Sequence, residues 1–290
     1  MRWVGRSLPR YEDPILLQGR GRYTADLARG ARILRFLRSP VSRGRILAVN
    51  APPEIPIITT AVLGDVKPIC PRLDRPDYVP VPQPILAHDR VSYVGEPIAA
   101  VIADTAAQAE DLAEQVTIEI ETETPVVTLN QALAPGAPLV HDTAAQNTLI
   151  DARFETPEVG AAFAAAHQVV EFTFTSGRQA AVPLEPRGAV AAFDLATGRV
   201  ILSASTQMPH LLRTGVADAL GIPESELRVI APEVGGGFGQ KMALIPECGL
   251  GVAAFRVYRR LDRGPARKSD RVVSRTRPTP PSARRLSCGR

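Results

Sequence analysis

The sequence EVGGGFGQK, residues 233–241, follows the strand-like segment LRVIAP and is here called the glycine loop. Three consecutive glycines, one phenylalanine and a fourth glycine leave the backbone almost bare, so a bulky group can lie directly against its N–H groups. A tight turn that needs positive φ angles is the other interpretation. The spacing fits neither a P-loop nor the dinucleotide-binding GxGxxG motif, because Gln240 stands where each requires a glycine.

Four further segments bear on the choice between these interpretations. PLEPRG (183–188) and STQMPHLLR (205–213) precede the glycine loop, and GRGRYTADL (19–27) and RVSYVGEPIAAVIADT (90–105) lie nearer the N-terminus. Taken in chain order and followed by the glycine loop, these segments resemble the molybdenum hydroxylases. That family includes the large subunits of xanthine dehydrogenase, aldehyde oxidase and aerobic carbon monoxide dehydrogenase. Several motifs in one order are more specific than a single glycine run, so the resemblance favours a cofactor-binding loop.

The resemblance implies an α+β protein. Residues 15–125 are expected to form the family's N-terminal α/β hammerhead domain, and residues 126–148 a linker. Residues 149–247 then correspond to the first part of a molybdopterin-binding α+β domain. The resemblance ends at Glu247.

Local patterns in the first domain predict strands. The apolar run PIAAVIA (97–103) is typical of a strand buried on both faces. The runs ILRFL (33–37) and ILAV (46–49) predict a pair of strands joined by a turn.

In the second domain, residues 188–194 and 199–205 flank a turn and predict a hairpin. A helix is predicted after Pro209, and Gly221 is expected to end it. The segment VVEFTFTS (169–176) alternates with a period of two, which predicts a strand. The apolar face of that strand would carry Val170, Phe172 and Phe174.

The C-terminal segment, residues 248–290, differs in composition from the rest of the chain. It contains 12 Lys and Arg against 2 Asp and Glu, so the basic character of the whole sequence belongs to this segment and the first 247 residues are net acidic. Its proline and arginine content and its lack of helical periodicity predict a disordered or out-of-frame tail. On this interpretation the chain is a truncated large subunit.

Composition excludes several classes of protein. A hydrophobic content of 45% with a mean hydropathy of zero predicts a soluble, globular protein, and no apolar run is long enough to span a bilayer. Cys70, Cys248 and Cys288 follow no disulfide, zinc or iron–sulfur spacing. We therefore expect a cytoplasmic protein with no membrane span and no nucleic-acid partner.

The resemblance implies a molybdopterin dinucleotide cofactor that carries molybdenum. Its binding residues would be Gln207, His210, Gly236, Gly237, Phe238 and Gly239. The Gln207 amide would donate to an oxo group of the metal and Phe238 would lie beside it, although neither side chain ligates the metal directly. Without the resemblance, a helix-end cap and a core phenylalanine are the ordinary interpretations of these two residues.

Two charged residues of PLEPRG, Glu185 and Arg187, are expected to form an ion pair that shapes a substrate funnel. Some relatives have a substrate-contacting carboxylate directly after the lysine of the glycine loop, where this chain has Met242. The resemblance therefore favours an aldehyde or carbon monoxide type over a purine type. The family's general-base glutamate lies near the C-terminus of a longer subunit, and no residue here matches it, so no catalytic residue is assigned.

The function implied by the resemblance is that of a molybdenum hydroxylase of aldehyde, N-heterocycle or carbon monoxide type, with water as the oxygen source. Electrons would leave through an FAD-binding medium subunit and a small subunit with 2Fe-2S clusters. The isolated chain is expected to be inactive. A non-catalytic module that binds the cofactor or another protein is the alternative function.

Overall fold

The computed structural model describes residues 3–71, 73, 75–177, 179–261 and 271–275. The chain divides into two compact units. Unit 1 is drawn from Met1–Ile69, Pro84–Glu123 and Pro183–Arg290, and unit 2 from Cys70–Gln83 and Thr124–Val182.

The β-strands of the described residues all belong to unit 1. They are β1 (Arg32–Arg38), β2 (Gly44–Asn50), β3 (Ile57–Ile58), β4 (Arg90–Val91), β5 (Pro97–Ala103), β6 (Thr117–Thr122), β7 (Gly188–Asp194), β8 (Arg199–Ala204), β9 (Leu227–Ile230) and β10 (Arg271–Arg275).

The α-helices are α1 (Asp13–Leu17), α2 (Thr60–Leu63), α3 (Ala106–Glu114), α4 (Leu129–Leu133), α5 (Val159–Ala165), α6 (Pro209–Leu220) and α7 (Pro246–Leu261). Short 3-10 helices occupy Thr24–Ala28 and Glu224–Glu226. Within the described part of the chain, no helix is long and apolar enough to cross a membrane.

Seven of these strands form one mixed sheet in the order β3-β5-β1-β10-β7-β8-β9. The sheet joins strands from both predicted domains, because β10 lies between β1 and β7. Helices α6 and α7 contribute Leu212, Val216, Leu250 and Val252 to the main core, which covers one face of the sheet. The α+β prediction is confirmed.

Strand β5 is buried along its whole length, as its apolar sequence predicts. Ala100 and Ile102 face the main core, whereas Ala99 and Val101 face a second core that includes Leu112 of α3. Helix α3 begins at a capping box in which the Thr105 hydroxyl accepts from the Gln108 backbone. A strand with a helix-packed core on each side has no wet face and therefore shows no polar alternation.

Strands β1 and β2 form where the sequence predicts them, but they do not pair with each other. Strand β1 lies between β5 and β10 in the large sheet, and β2 lies between β4 and β6 in a separate three-stranded sheet. Residues 39–43 therefore connect two sheets. Local alternation identifies strands but does not identify their partners.

The prediction of disorder after Glu247 is wrong for the described residues of that segment. Helix α7 is buried from Pro246 to Ala254, and Leu250, Val252 and Ala254 have no exposed surface. Strand β10 pairs with a neighbour on each side, and Val272 and Val273 are 1% exposed. Both elements complete the core of unit 1, and this accounts for their order despite the high arginine content nearby. Residues 262–270 and 276–290 lie outside the described residues.

Unit 2 has little regular structure. Helix α5 is shorter than the alanine-rich sequence around it, and VVEFTFTS does not form a strand, so that prediction is wrong for this structure. The rings of Phe172 and Phe174 nevertheless lie 6.0 Å apart. Strands need a hydrogen-bonded neighbour, and among the described residues no strand pairs with this segment.

Candidate functional site

The two segments with the predicted cofactor residues meet at one edge of the large sheet. Strands β8 and β9 are parallel neighbours, with Ser203 opposite Ile230, so their carboxyl ends lie side by side. The chain leaves β8 into residues 205–208 and leaves β9 into the glycine loop. Polar loops at the carboxyl ends of neighbouring parallel strands are a common setting for ligand binding.

Hydrogen bonds fix the first segment against the end of the glycine loop. The backbone O of Lys241 accepts from Gln207 N at 2.9 Å and from the Thr206 hydroxyl at 3.2 Å. In return, Lys241 N donates to Oε1 of Gln207 at 3.3 Å. Since a backbone N–H can pair only with the oxygen of an amide, this bond leaves Nε2 of Gln207 to donate elsewhere. Gln207 is exposed, and within the described residues its Nε2 has no acceptor.

A buried ion pair lies beneath the loop. The side chain of Lys241 has no exposed surface, and its ammonium donates to Glu185 Oε2 at 3.1 Å and to the Glu185 backbone O at 2.9 Å. The same Oε2 accepts from the Ser205 hydroxyl at 2.6 Å and from Gly235 N at 2.8 Å. One carboxylate thus joins the start of PLEPRG, the end of β8 and both ends of the glycine loop.

The pKa of Glu185 reflects opposing effects. Burial would raise the pKa of this carboxyl, but hydrogen bonds from Ser205, Gly235 and Lys241, together with the Lys241 charge, outweigh burial and hold the pKa below its usual range. Glu185 is therefore an anion at neutral pH. An anion held by these donors positions the loop and is a poor proton acceptor.

The ion pair predicted between Glu185 and Arg187 is not formed. Glu185 is bound by Lys241, while Nη2 of Arg187 donates to the backbone O of Gln240 at 2.7 Å. The Lys241 ammonium, whose side chain has no exposed surface, lies beside the carboxylate in place of the predicted Arg187 guanidinium. Arg187 still supports the glycine loop, because its side chain donates to a backbone oxygen of that loop.

The N-terminal motif GRYTADL supports the same site. Thr24 N donates to Glu185 Oε1 at 3.3 Å, Glu233 N donates to the Arg22 backbone O at 3.2 Å, and Tyr23 forms a parallel bridge with Glu233. Lys241, Ser205 and Thr24 were missed as functional candidates. Of these three residues, only Lys241, the last residue of the glycine loop, could have been identified from the sequence. A cation at the end of a glycine run needs an anionic partner when it is buried.

The glycines of the loop serve two purposes. A Cβ on Gly235 would lie 2.6 Å from Cβ of Glu185, and one on Gly237 would lie 2.3 Å from Cδ of Gln207. These positions are glycine because the chain's own side chains occupy the space. A Cβ on Gly239 would meet nothing within 4 Å, so this glycine faces open space, as a ligand contact requires.

The far end of the loop exposes backbone donors. Gly235 N and Gly236 N are used internally, whereas the N–H groups of Gly237, Phe238 and Gly239 have no partner among the described residues. Among those residues, Phe238 is the one non-glycine residue with a positive φ, 48°. Its side chain is 71% exposed. Successive N–H groups around a left-handed residue form a concave site that suits an anion, and strained backbone of this kind is often found at functional sites.

The remaining candidates are also exposed. His210 lies in the first turn of α6, and the structure gives no hydrogen bond from its ring to Gln207 or to the glycine loop. Met242 follows Lys241 and is 50% exposed. Cofactor contact by His210 stays a prediction.

Gly237→Ala is expected to displace the Gln207 side chain with only a modest loss of stability. The new Cβ would overlap a flexible, exposed amide, which can move away at the cost of its hydrogen bond to Lys241 N, about 0.5–1.5 kcal/mol. Hydrogen exchange at the Lys241 amide should become faster, and urea unfolding gives the stability change. Gly235→Ala is the comparison, because Glu185 is held by its network and cannot move. Equal losses from the two variants would contradict this account.

Two family sequence profiles match the chain. Residues 18–124 match the a/b hammerhead domain of aldehyde oxidase and xanthine dehydrogenase, and residues 140–280 match the molybdopterin cofactor-binding domain. The second match continues past Glu247, where the sequence motifs stop, and includes the segments that form α7 and β10.

Individual relatives agree with the profiles. The chain is 34% identical to the nicotine 6-hydroxylase large subunit of Paenarthrobacter nicotinovorans, over 84% of this chain but 31% of that protein. It is 30% identical to the nicotinate dehydrogenase large molybdopterin subunit of Eubacterium barkeri, over 83% of this chain and 56% of that protein. Among solved structures, quinoline 2-oxidoreductase from Pseudomonas putida 86 superposes with a TM-score of 0.82 at 35% identity, over 94% of this chain and 34% of that one.

The chain thus spans about a third of the length of the nicotine hydroxylase subunit. Its sequence profiles, its fold and its relatives are those of one protein family. The chain belongs to the molybdenum hydroxylases, as part of their large molybdopterin-binding subunit.

Proposed function

We propose that this chain forms one wall of the molybdopterin site of an oxidoreductase. The observation that carries the proposal is the meeting of an amide donor, Gln207 Nε2, with the open N–H groups of residues 237–239 at one sheet edge. The buried Glu185–Lys241 pair holds both segments in place. Donors fixed before a ligand arrives need little reorganisation when it binds.

The donor set fits the proposed cofactor. A molybdopterin dinucleotide presents oxo and phosphate oxygens, which are acceptors, and the exposed wall offers neutral N–H donors to them. Gly239 leaves room for close approach of a ligand, since a Cβ there would meet no atom of the chain. The wall also contains an exposed aromatic ring, Phe238, which suits contact with a large planar or apolar group.

When bound, the cofactor would supply a metal centre able to activate water and to accept two electrons. Gln207 would orient an oxo group by donating from Nε2, and the loop amides would hold acceptor oxygens. Phe238 would exclude water from one side of the centre. Glu185 and Lys241 would not contact the reacting atoms, because Lys241 is fully buried and Glu185 is saturated by donors.

The remaining parts of the site are proposed to come from other polypeptide. No residue of this chain matches the family's general base, and Gln207, Phe238 and Gly239 are exposed rather than enclosed. The electron-transfer partners proposed for the whole enzyme are an FAD-binding subunit and a subunit with 2Fe-2S clusters. The chain alone is then inactive, because general-base catalysis contributes about 10²- to 10⁴-fold and positioning contributes roughly 7–11 kcal/mol of a barrier.

The test is to produce the 290-residue chain in a host that makes the molybdenum cofactor. Bound molybdenum and pterin are measured by mass spectrometry and pterin fluorescence, and dye reduction is assayed with an aldehyde, a purine and carbon monoxide. We expect no turnover above that of metal-free protein. Turnover would overturn the half-site proposal, and stoichiometric molybdenum without turnover would favour a cofactor-binding module.

A further inference from the structure

Tyr23, from the GRYTADL motif, lies against the start of the glycine loop. A Cβ on Gly235 would lie 3.4 Å from Cε1 of the Tyr23 ring. A Cβ on Gly21 would lie 3.4 Å from Cε2, on the opposite edge of the same ring. The half-buried ring therefore lies between two glycines, one just before it in the chain and one in the glycine loop.

Main-chain hydrogen bonds fix the ring in this place. Tyr23 forms a parallel bridge with Glu233, and Glu233 N donates to the Arg22 backbone O at 3.2 Å. Tyr23 N donates to Oδ2 of Asp26 at 2.9 Å, which anchors the residue at the start of the 3-10 helix Thr24–Ala28. The position of the ring thus follows from bonds to the backbone on both sides of it.

Two side chains lie close to Gly235. A Cβ on Gly235 would lie 2.6 Å from Cβ of Glu185, whose Oε2 accepts from Gly235 N at 2.8 Å, and the Tyr23 ring is the second neighbour. The open N–H groups of residues 237–239 begin two residues further along the loop. The ring therefore restricts the backbone that leads to these donors, and donors fixed in advance need little reorganisation when a ligand binds.

Tyr23 comes from a different domain than the rest of the candidate site. It lies within the match to the hammerhead domain, residues 18–124. Glu185, Gln207 and the glycine loop lie within the match to the molybdopterin cofactor-binding domain, residues 140–280. The hammerhead domain therefore contributes to the site through its contacts with the glycine loop.

We infer that Tyr23 is a positioning residue for the glycine loop. Its ring and backbone hold Glu233 and Gly235, so that the N–H groups of residues 237–239 face a bound anion together. Tyr23 acts through the loop backbone and needs no contact with a cofactor. The inference rests on the proposed function, because it takes those N–H groups to be donors to cofactor oxygens. The packed ring carries the role, so phenylalanine is expected to replace tyrosine and alanine is not.

The experiment compares the full 290-residue chain with its Tyr23→Ala, Tyr23→Phe and Tyr93→Ala variants. Tyr93 is the control, because it is a tyrosine of the same domain, 40% exposed, in the turn before β5. Amide hydrogen exchange followed by NMR reports Glu233 N and Gly235 N. Exchange at both should be at least about tenfold faster in Tyr23→Ala, whereas Tyr23→Phe and Tyr93→Ala should match the unaltered chain.

Inorganic pyrophosphate is the probe for anion binding, and the amide chemical shifts of residues 237–239 report it. Tyr23→Ala should weaken pyrophosphate binding at least about fivefold, and Tyr23→Phe should not weaken it. Failure of pyrophosphate to bind the unaltered chain would count against the proposed function, and the exchange measurement would then decide the role of Tyr23 by itself.

Three results would overturn the inference. The first is unchanged exchange at Glu233 and Gly235 in Tyr23→Ala. The second is equal acceleration at Val101, which is fully buried in β5, since that would show a general loss of stability. The third is faster exchange in the glycine loop with no loss of pyrophosphate binding.

Discussion

A chain shortened to end at Glu247 is expected to lose its cooperative fold. The deletion removes Leu250, Val252 and Ala254 of α7, which have no exposed surface, and Val272 and Val273 of β10, which are 1% exposed. Burial of each Leu or Val side chain is worth about 1.5–3 kcal/mol, and a whole domain is stable by about 5–15 kcal/mol. The lost burial is therefore comparable to the entire stability.

The deletion also opens the large sheet at its centre. Strand β10 is parallel to β1 and antiparallel to β7, so its removal leaves two strands without their shared neighbour. Buried backbone groups without partners add to the cost. Near-ultraviolet circular dichroism should lose its signal, and urea should produce a gradual change rather than a cooperative transition.

A point variant tests the same expectation without shortening the chain. Leu250→Asp places a carboxylate at a fully buried position and should be as damaging as the deletion. Leu211→Asp is the matched control, since Leu211 is 57% exposed on α6. A cooperative transition near that of the unaltered chain, in either the shortened protein or Leu250→Asp, would show that α7 and β10 do not complete the core.

Local pattern was sufficient to predict the elements whose signal lies in a few adjacent residues. The buried strand β5, the antiparallel β7–β8 pair and helix α6, which ends at a left-handed Gly221, are confirmed. In each case composition, alternation or a glycine cap encodes the element directly.

Helix α7 was not predicted from the sequence, and the reason is physical. Its first nine residues, PECGLGVAA, are buried on all sides, so they show no polar face and no helical period, and they include two glycines. Strand β10 is RVVSR, too short and too basic to be recognised alone. Both elements are stabilised by tertiary neighbours, β1 and β7 among them, that lie far away in the sequence.

The candidate site could also be predicted only in part, because some of its contacts join residues that lie far apart in the sequence. The motifs STQMPH and GGGFGQK were predicted to form one site, and the parallel pairing of β8 with β9 brings the two segments together. The partner of Glu185 was not predicted, because 56 residues separate it from Lys241. Arg187 is two residues away and was the nearer cation, but proximity in sequence does not determine which charge is buried with which.

Lys241→Met is expected to destabilise the chain by about 3–5 kcal/mol, the usual cost of removing one partner of a buried ion pair. Glu185 would keep its charge in a site where its side chain is 11% exposed and its cation is gone. The matched control is Arg213→Met, which breaks a pair with Glu224 whose side chains are 40% and 41% exposed. An exposed pair of this kind contributes about 0–1 kcal/mol. Similar losses from the two variants would contradict the central role given to Lys241.

The dependence of this loss on pH separates the charge from mere packing. Because the folded-state pKa of Glu185 lies below its usual value, its contribution to stability is present above the unfolded pKa and is lost as the pH falls through the folded pKa. A protonated Glu185 has no charge for Lys241 to neutralise. The difference between Lys241→Met and the unaltered chain, measured by urea unfolding at a series of pH values, should therefore be largest near neutrality and shrink in acid. A difference that stays constant across the series would mean that Lys241 stabilises the glycine loop through its packed side chain and its bond to the Glu185 backbone, and not through its charge.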